Sequence, residues 1–206
     1  MEPARTNKGQ FITIGIVAIL ASVIFAGCGG NAGGGLLGPV DETPQAGSVV
    51  AEANQDLITI RKLYQENENK REDIKKAMAA NDSVTAKKLA DEVVDLINQG
   101  SASARDAIEK IQRAEAMNIN DDYRTYLLLK RRSLELEIEA FENYRQAARI
   151  LRDNFDPKDA AKRERVKAEF ATRSDRYREK MEEARDTSSQ ANEVAKDALR
   201  RQQKGQ

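Results

Sequence analysis

The sequence predicts an all-α fold, a long antiparallel four-helix bundle that is coiled-coil-like in its packing and up-down-up-down in its topology. Three observations carry that expectation. From Ser48 onward only Gly100, Gly205 and Pro157 interrupt a chain dominated by Ala, Glu, Lys, Arg, Leu and Gln, which are strong helix formers. Apolar residues recur at the three-and-four spacing of packed helical seams. Three short clusters, 81–83 (NDS), 118–122 (NINDD) and 154–157 (NFDP), divide the run, each offering an Asn or Asp side chain to cap the next helix.

The elements follow in order. A first helix over 48–80 carries Leu57, Ile60, Tyr64, Ile74 and Met78 on its seam, with Asn67 and Arg71 interrupting. A second over 83–117 shows Leu89, Val93, Leu96, Gly100, Ala107, Ile111 and Ala114. A third over 121–154 repeats Leu127, Leu134, Phe141, Ala148 and Phe155 every seven residues, with Ile138 and Leu151 falling between some of them. A fourth over 157–202 begins at Asp156-Pro157, proline being well suited to the first helical position. Its stripe runs Val166, Phe170, Ser174, Tyr177, Met181, Ala184, Ser188, Ala191, Val194 and Ala198. Such helices are each about 50–70 Å long, and short turns between them force antiparallel neighbours. A tetratricopeptide-type repeat would need shorter helices in a 34-residue period, which is not seen. A longer intermolecular coiled coil with opened hairpins remains compatible with the pattern.

Folding the first hairpin about residue 81 brings Arg71 level with Asp91 and Asn67 level with Asp95. Arg71 is therefore expected to pair with Asp91 or Glu92 and to set register, as polar core positions can. Gly100 on the second stripe reads as a close helix crossing or a kink. Tyr64, Tyr123, Tyr126, Tyr144 and Tyr177 read as amphipathic core filler.

Composition bounds the chemistry. The 206 residues carry 34 Lys+Arg against 34 Asp+Glu, so the basic excess that a nucleic-acid partner would demand is missing. There is no His and no Trp, and one Cys; this rules out His-based dyads, imidazole metal ligands and an internal disulfide. Carboxylates cluster at Glu135, Glu137, Glu139 and Glu142, but di-iron bundles require a Glu-x-x-His pattern, and Glu135, Glu139 and Glu142 lie off the apolar stripe on a flank expected to be solvated. Lys130, Arg131 and Arg132 have acids nearby and read as surface ion pairs; Arg200, Arg201 and Lys204 could touch anionic lipid. No catalytic residues, no metal, no cofactor and no nucleic acid are expected.

The N-terminus differs in kind. Residues 1–10 are polar and carry Arg5 and Lys8, after which 11–27 (FITIGIVAILASVIFAG) runs without a charge to Cys28. Ala26, Gly27 and Cys28, with Phe25 standing where Leu is usual, resemble the lipobox of bacterial lipoproteins. The resemblance implies a signal peptide over 1–27, cleavage before Cys28, and acyl chains on that residue. A permanent, uncleaved anchor is the other reading of the same stretch. Residues 28–47 hold most of the glycines, with Pro39 and Pro44, and are expected to form a flexible linker. They lack the strand, helix and Lys-Ser/Thr context of a phosphate loop.

Together these features predict a lipid-anchored, non-enzymatic bundle (48–206) of the bacterial cell envelope. It would be held outside the cytoplasm at the cell membrane or outer membrane, in a structural or protein-interaction role. A protein partner or self-association through its helices is expected. The other class is an accessory protein holding a small apolar or lipid-like ligand between its helices. Gly29, rather than Asp, after the Cys leans towards the outer membrane by analogy with enteric lipoproteins.

Overall fold

The computed structural model describes residues 40–204; the lipobox (Phe25, Ala26, Gly27, Cys28) and most of the glycine-rich stretch lie outside them. Four helices follow one another: α1 (Thr43–Ala79), α2 (Ser83–Glu115), α3 (Asp121–Asn154) and α4 (Ala160–Lys204). The fold is all-α, and the helices pack in sequence, α1 on α2, α2 on α3 and α3 on α4, as in an up-down bundle.

The turns are built from the predicted capping residues. Asn81 sits in the left-handed region with φ 56°, a conformation Asn tolerates better than most side chains. The Asp82 amide donates to the Ala77 carbonyl at 2.9 Å and the Asn81 amide to that of Met78 at 3.2 Å, closing α1 as a Schellman motif. Asp82 then caps α2, its carboxylate accepting from the Thr85 amide at 3.0 Å. Asn120 does the same for α3 through Tyr123, at 2.8 Å.

Two helix starts differ from expectation. The linker assigned to 28–47 loses its last five residues, because α1 begins at Thr43. Pro44 fits the first turn, Asp41 accepts from the Thr43 amide at 3.0 Å, and Ala46 is fully buried against the bundle. One isolated glycine, Gly47, costs a helix about 1 kcal/mol, less than this packing returns. At the other end, α4 begins at Ala160 rather than at Pro157. Asp156 closes a short turn onto the Lys158 amide at 2.9 Å, and Asp159 caps the helix through Lys162, also at 2.9 Å. Two aspartates compete for the same helix start. Fully buried Phe155 anchors the turn so that the second one wins.

The core divides into two apolar clusters. One gathers Ile74, Val93, Phe141, Tyr144, Leu151, Phe155, Phe170 and Tyr177 towards the α1–α2 and α3–α4 turns. The other gathers Ala46, Ile60, Ala107, Ile111, Leu127, Leu134 and Ala191 towards the α2–α3 turn. The seven-residue stripe of α3 is buried throughout, from Leu127 to Phe155. Ile138, however, is only half-buried. The buried positions between the stripe residues belong to Lys130, Tyr144 and Leu151, with Glu137 half-buried like Ile138.

Ion pairs tie the closely packed edges together. Lys70 meets Glu92 at 2.5 Å and Lys110 meets Asp56 at 2.6 Å between α1 and α2. Arg131 meets Glu115 and Arg152 meets Asp91, each at 3.0 Å, between α2 and α3. The edge between α1 and α4 is looser in its backbone packing. There the Tyr177 hydroxyl donates to Glu68 at 2.8 Å.

Gly100 does not mark a close crossing. A Cβ placed on it would meet Leu63 Cδ1 at 3.9 Å, an ordinary contact. Gly100→Ala is therefore expected to raise stability by about 1 kcal/mol through helix propensity, measured by denaturant melting. An unchanged or lowered midpoint would show that the glycine relieves a strain at that point of α2.

Candidate functional site

The looser α1–α4 edge opens into a groove of about 420 Å³, within the range of small-molecule sites. α1 contributes Arg71, Lys75, Met78 and Ala79; α4 contributes Lys167, Phe170, Ala171, Ser174, Asp175 and Arg178. Because the helices run antiparallel, Met78 lies level with Lys167 and Phe170, while Arg71 lies level with Ser174. Charged residues therefore line the groove along its length, with Met78 and Phe170 between them towards the helix turns.

Four cations against one acid line it. Each cation has an acid nearby on its own helix: Arg71 reaches Glu68 at 2.9 Å, Lys75 reaches Glu72 at 2.7 Å, and Lys167 reaches Glu164 at 3.5 Å; Arg178 pairs with Asp175. Such helix-surface pairs are each worth a few tenths of a kcal/mol. Beneath the groove, two polar atoms are less satisfied. The Ser174 hydroxyl and the Arg71 Nε are both buried and have no hydrogen-bond partner among the described residues. Arg71 also lies over the Tyr177 ring, 5.5 Å from its centroid. Burial raises the Tyr177 hydroxyl well above its ordinary pKa, with Tyr64 and Glu68 adding to the effect.

The pairing expected between Arg71 and Asp91 is not formed. Arg71 is held by Glu68 and Glu72 on its own helix, and Asp91 is taken by Arg152 of α3. The inter-helix contact of this hairpin passes instead to the neighbouring residue, Lys70, on Glu92. Arg71 faces α4 from the seam, whereas the flank facing α2 belongs to Lys70. Asn67 is 1% exposed, and both its side-chain polar atoms lack partners among the described residues. It lies beside Leu96, Gly100 and Phe141 rather than against Asp95.

Polar side chains also stand within the seam of α3. Lys130, 6% exposed, donates to Ser188 Oγ at 3.0 Å and to Asn192 Oδ1 at 2.9 Å, and burial pulls its pKa down to about 8. The sequence suggests a surface run for Lys130, so its inward position is a correction. Glu137 is half-buried, and desolvation pushes its carboxyl up to about 7 despite Lys130 and Arg61 nearby. Both residues occupy three-and-four positions between Leu127, Leu134 and Phe141, and that spacing is the signal available in the sequence. Glu139 is exposed as expected, whereas Glu135 and Glu142 are partly buried and ion-paired with Arg131 and Arg145.

Among the described residues no group of acids or Cys could hold a metal ion, and no helix is long and apolar enough to cross a membrane. Arg200 and Arg201 are engaged by Asp197 and Asp122. No family model, curated protein or solved structure significantly matches the chain.

Proposed function

We propose that this protein is a lipid-anchored, non-enzymatic helical bundle of the bacterial cell envelope that acts by presenting its helices to a partner at a distance from the membrane. The lipobox-like run ending at Cys28 carries the anchoring, and where α1 begins carries the orientation. The Glu42 amide donates to the Asn118 carbonyl at 2.9 Å, and the Asn118 amide donates back to the Glu42 carboxylate at 2.7 Å. The chain arriving from Cys28 is therefore pinned to the α2–α3 turn. The end of α4 lies at the same end, held by Arg201 on Asp122 at 2.7 Å. A bundle tethered there has its opposite end about 55 Å away, the length of α1's 37 residues at helical rise. The groove between α1 and α4 lies in that far half.

The test is the intact mass of the protein taken from the membrane fraction, wild type beside Cys28→Ala. A mature chain starting at Cys28 and carrying acyl chains, absent from the variant, is the expected result. An unprocessed chain of equal mass apart from the substitution in both would overturn lipid anchoring and leave residues 11–27 as a permanent anchor.

A further inference from the structure

We infer that the bundle opens along its α1–α4 edge ahead of global unfolding, the α1–α2 hairpin parting from the α3–α4 hairpin, and that the Tyr177–Glu68 hydrogen bond is the latch of this opening. Two features of the fold point the same way. The first is uneven packing: the backbones lie close within each hairpin and less close across the α1–α4 edge. Lys70 on Glu92 and Lys110 on Asp56 hold α1 to α2. Ser133 donates to the Ala184 carbonyl at 2.8 Å, and Lys130 to Ser188 and Asn192, holding α3 to α4. Each hairpin thus carries its own contacts, and contiguous units of this kind are what open cooperatively in folded proteins.

The second feature is a polar layer buried where the hairpins meet. Arg71 of α1 lies level with Ser174 of α4. The Tyr144 ring of α3 packs 5.9 Å from that of Phe170 and 5.3 Å from that of Tyr177, the α4 residues on either side of Ser174. Arg71 Nε, Ser174 Oγ and Tyr144 Oη are all buried with no hydrogen-bond partner among the described residues. A buried polar group left unpaired carries the cost of its desolvation, and parting α1 from α4 returns these groups to water. The latch opposes that gain. One oxygen of Glu68 accepts from the Tyr177 hydroxyl at 2.8 Å and the other meets Arg71 at 2.9 Å, while Arg71 lies over the Tyr177 ring. Hydrogen bonds to an ionised acceptor are the stronger kind, and Tyr177 is only 1% exposed, which keeps competing water away. The opening goes beyond the anchoring proposal and does not depend on it, since Cys28→Ala leaves every residue of the edge in place.

The experiment is thiol labelling of the full chain in phosphatidylcholine nanodiscs, with Cys28, its one cysteine, changed to Ala. Ser174→Cys reports on the α1–α4 edge and Ser133→Cys on the α3–α4 contact; both serines are buried. Each rate is taken relative to that of the urea-unfolded chain. Position 174 should label about tenfold faster than position 133, or more, and with a shallower dependence on low urea, because a partial opening exposes less surface than unfolding does. Equal rates and equal slopes would overturn the opening. Tyr177→Phe breaks a bond absent from both the opened and the unfolded chain, so it should speed labelling about tenfold at both positions. An unchanged rate at 174 would overturn the latch. Asn192→Ala removes a contact inside the α3–α4 hairpin and should speed labelling at 133 alone; an equal rise at 174 would show that the hairpins do not part as units. Should Ser133→Cys fail to fold, Ala184→Cys reads the same contact from α4.

Discussion

Asn67→Leu is expected to stabilise the protein by about 2 kcal/mol, because it removes two polar atoms that are buried without partners and adds apolar contact. For a folded unit of this size that corresponds to a rise of roughly 6 °C in melting temperature. Asn67 stands seven residues from Ile60 and from Ile74 on the α1 seam, and both neighbours are buried. Its surroundings, Ile60, Leu63, Tyr64, Leu96, Ile97 and Phe141, are almost wholly apolar. An Asn at such a position resembles the single polar seam residue that specifies register and association state in coiled coils at a cost in stability. The gain should therefore come with loss of a unique state, read by sedimentation as mixed oligomers or by broadened side-chain NMR signals. A midpoint that falls in Asn67→Leu would show that the amide is satisfied in solution and that it holds α1 in place.

Stability should pass through a minimum between about pH 7 and pH 8, where Glu137 and Lys130 are both charged. The two groups act in opposite senses. Glu137 has a folded pKa raised from 4.5 to about 7. Its contribution is full below the unfolded value and is lost as pH rises through about 7. Lys130 has a folded pKa lowered from 10.5 to about 8. Its contribution is full above the unfolded value and is lost as pH falls through about 8. Each tenfold change in proton affinity corresponds to about 1.4 kcal/mol; screening at half-buried Glu137 cuts the acidic arm to about 1–2 kcal/mol, and the arm of more deeply buried Lys130 should reach about 3 kcal/mol. The acidic arm is read between pH 5 and 7, above the range where Glu72, Glu92 and Glu164, all lowered by ion pairing, begin to protonate. Urea midpoints across this range should show the fall in wild type and a flat line in Glu137→Gln, whereas Lys130→Met should flatten the alkaline arm and, by removing a nearby positive charge that favours the Glu137 carboxylate, steepen the acidic one. A wild-type profile that rises steadily from pH 5 to 7 would mean that Glu137 is stabilised as a carboxylate.

The charged and polar residues inside the seams explain much of what sequence reading missed. Lys130 and Glu137 sit at three-and-four spacing among Leu127, Leu134 and Phe141, so their inward positions were countable. Their charge argued for the surface instead, because burying an isolated charge is expensive. For Lys130 the compensation comes from Ser188 and Asn192 on α4, more than fifty residues away, and no local pattern reveals those partners. The pairing of Arg71 departs from expectation for a related reason. Levelling two helices about a turn fixes which residues share a height, but not which flank each side chain faces.

The four helices, their order and the residues that divide them are legible in the sequence, because capping and apolar periodicity act over a few residues. Asp82 and Asn120 cap as their positions implied, and the stripes of α3 and α4 are buried nearly as counted. Three outcomes arise from tertiary packing: Ala46 draws α1 back to Thr43, Asp159 rather than Asp156 caps α4, and α1 and α4 leave a groove between them. Those outcomes depend on which surfaces meet across the bundle, and that is set by long-range packing energies that no short window of the chain contains.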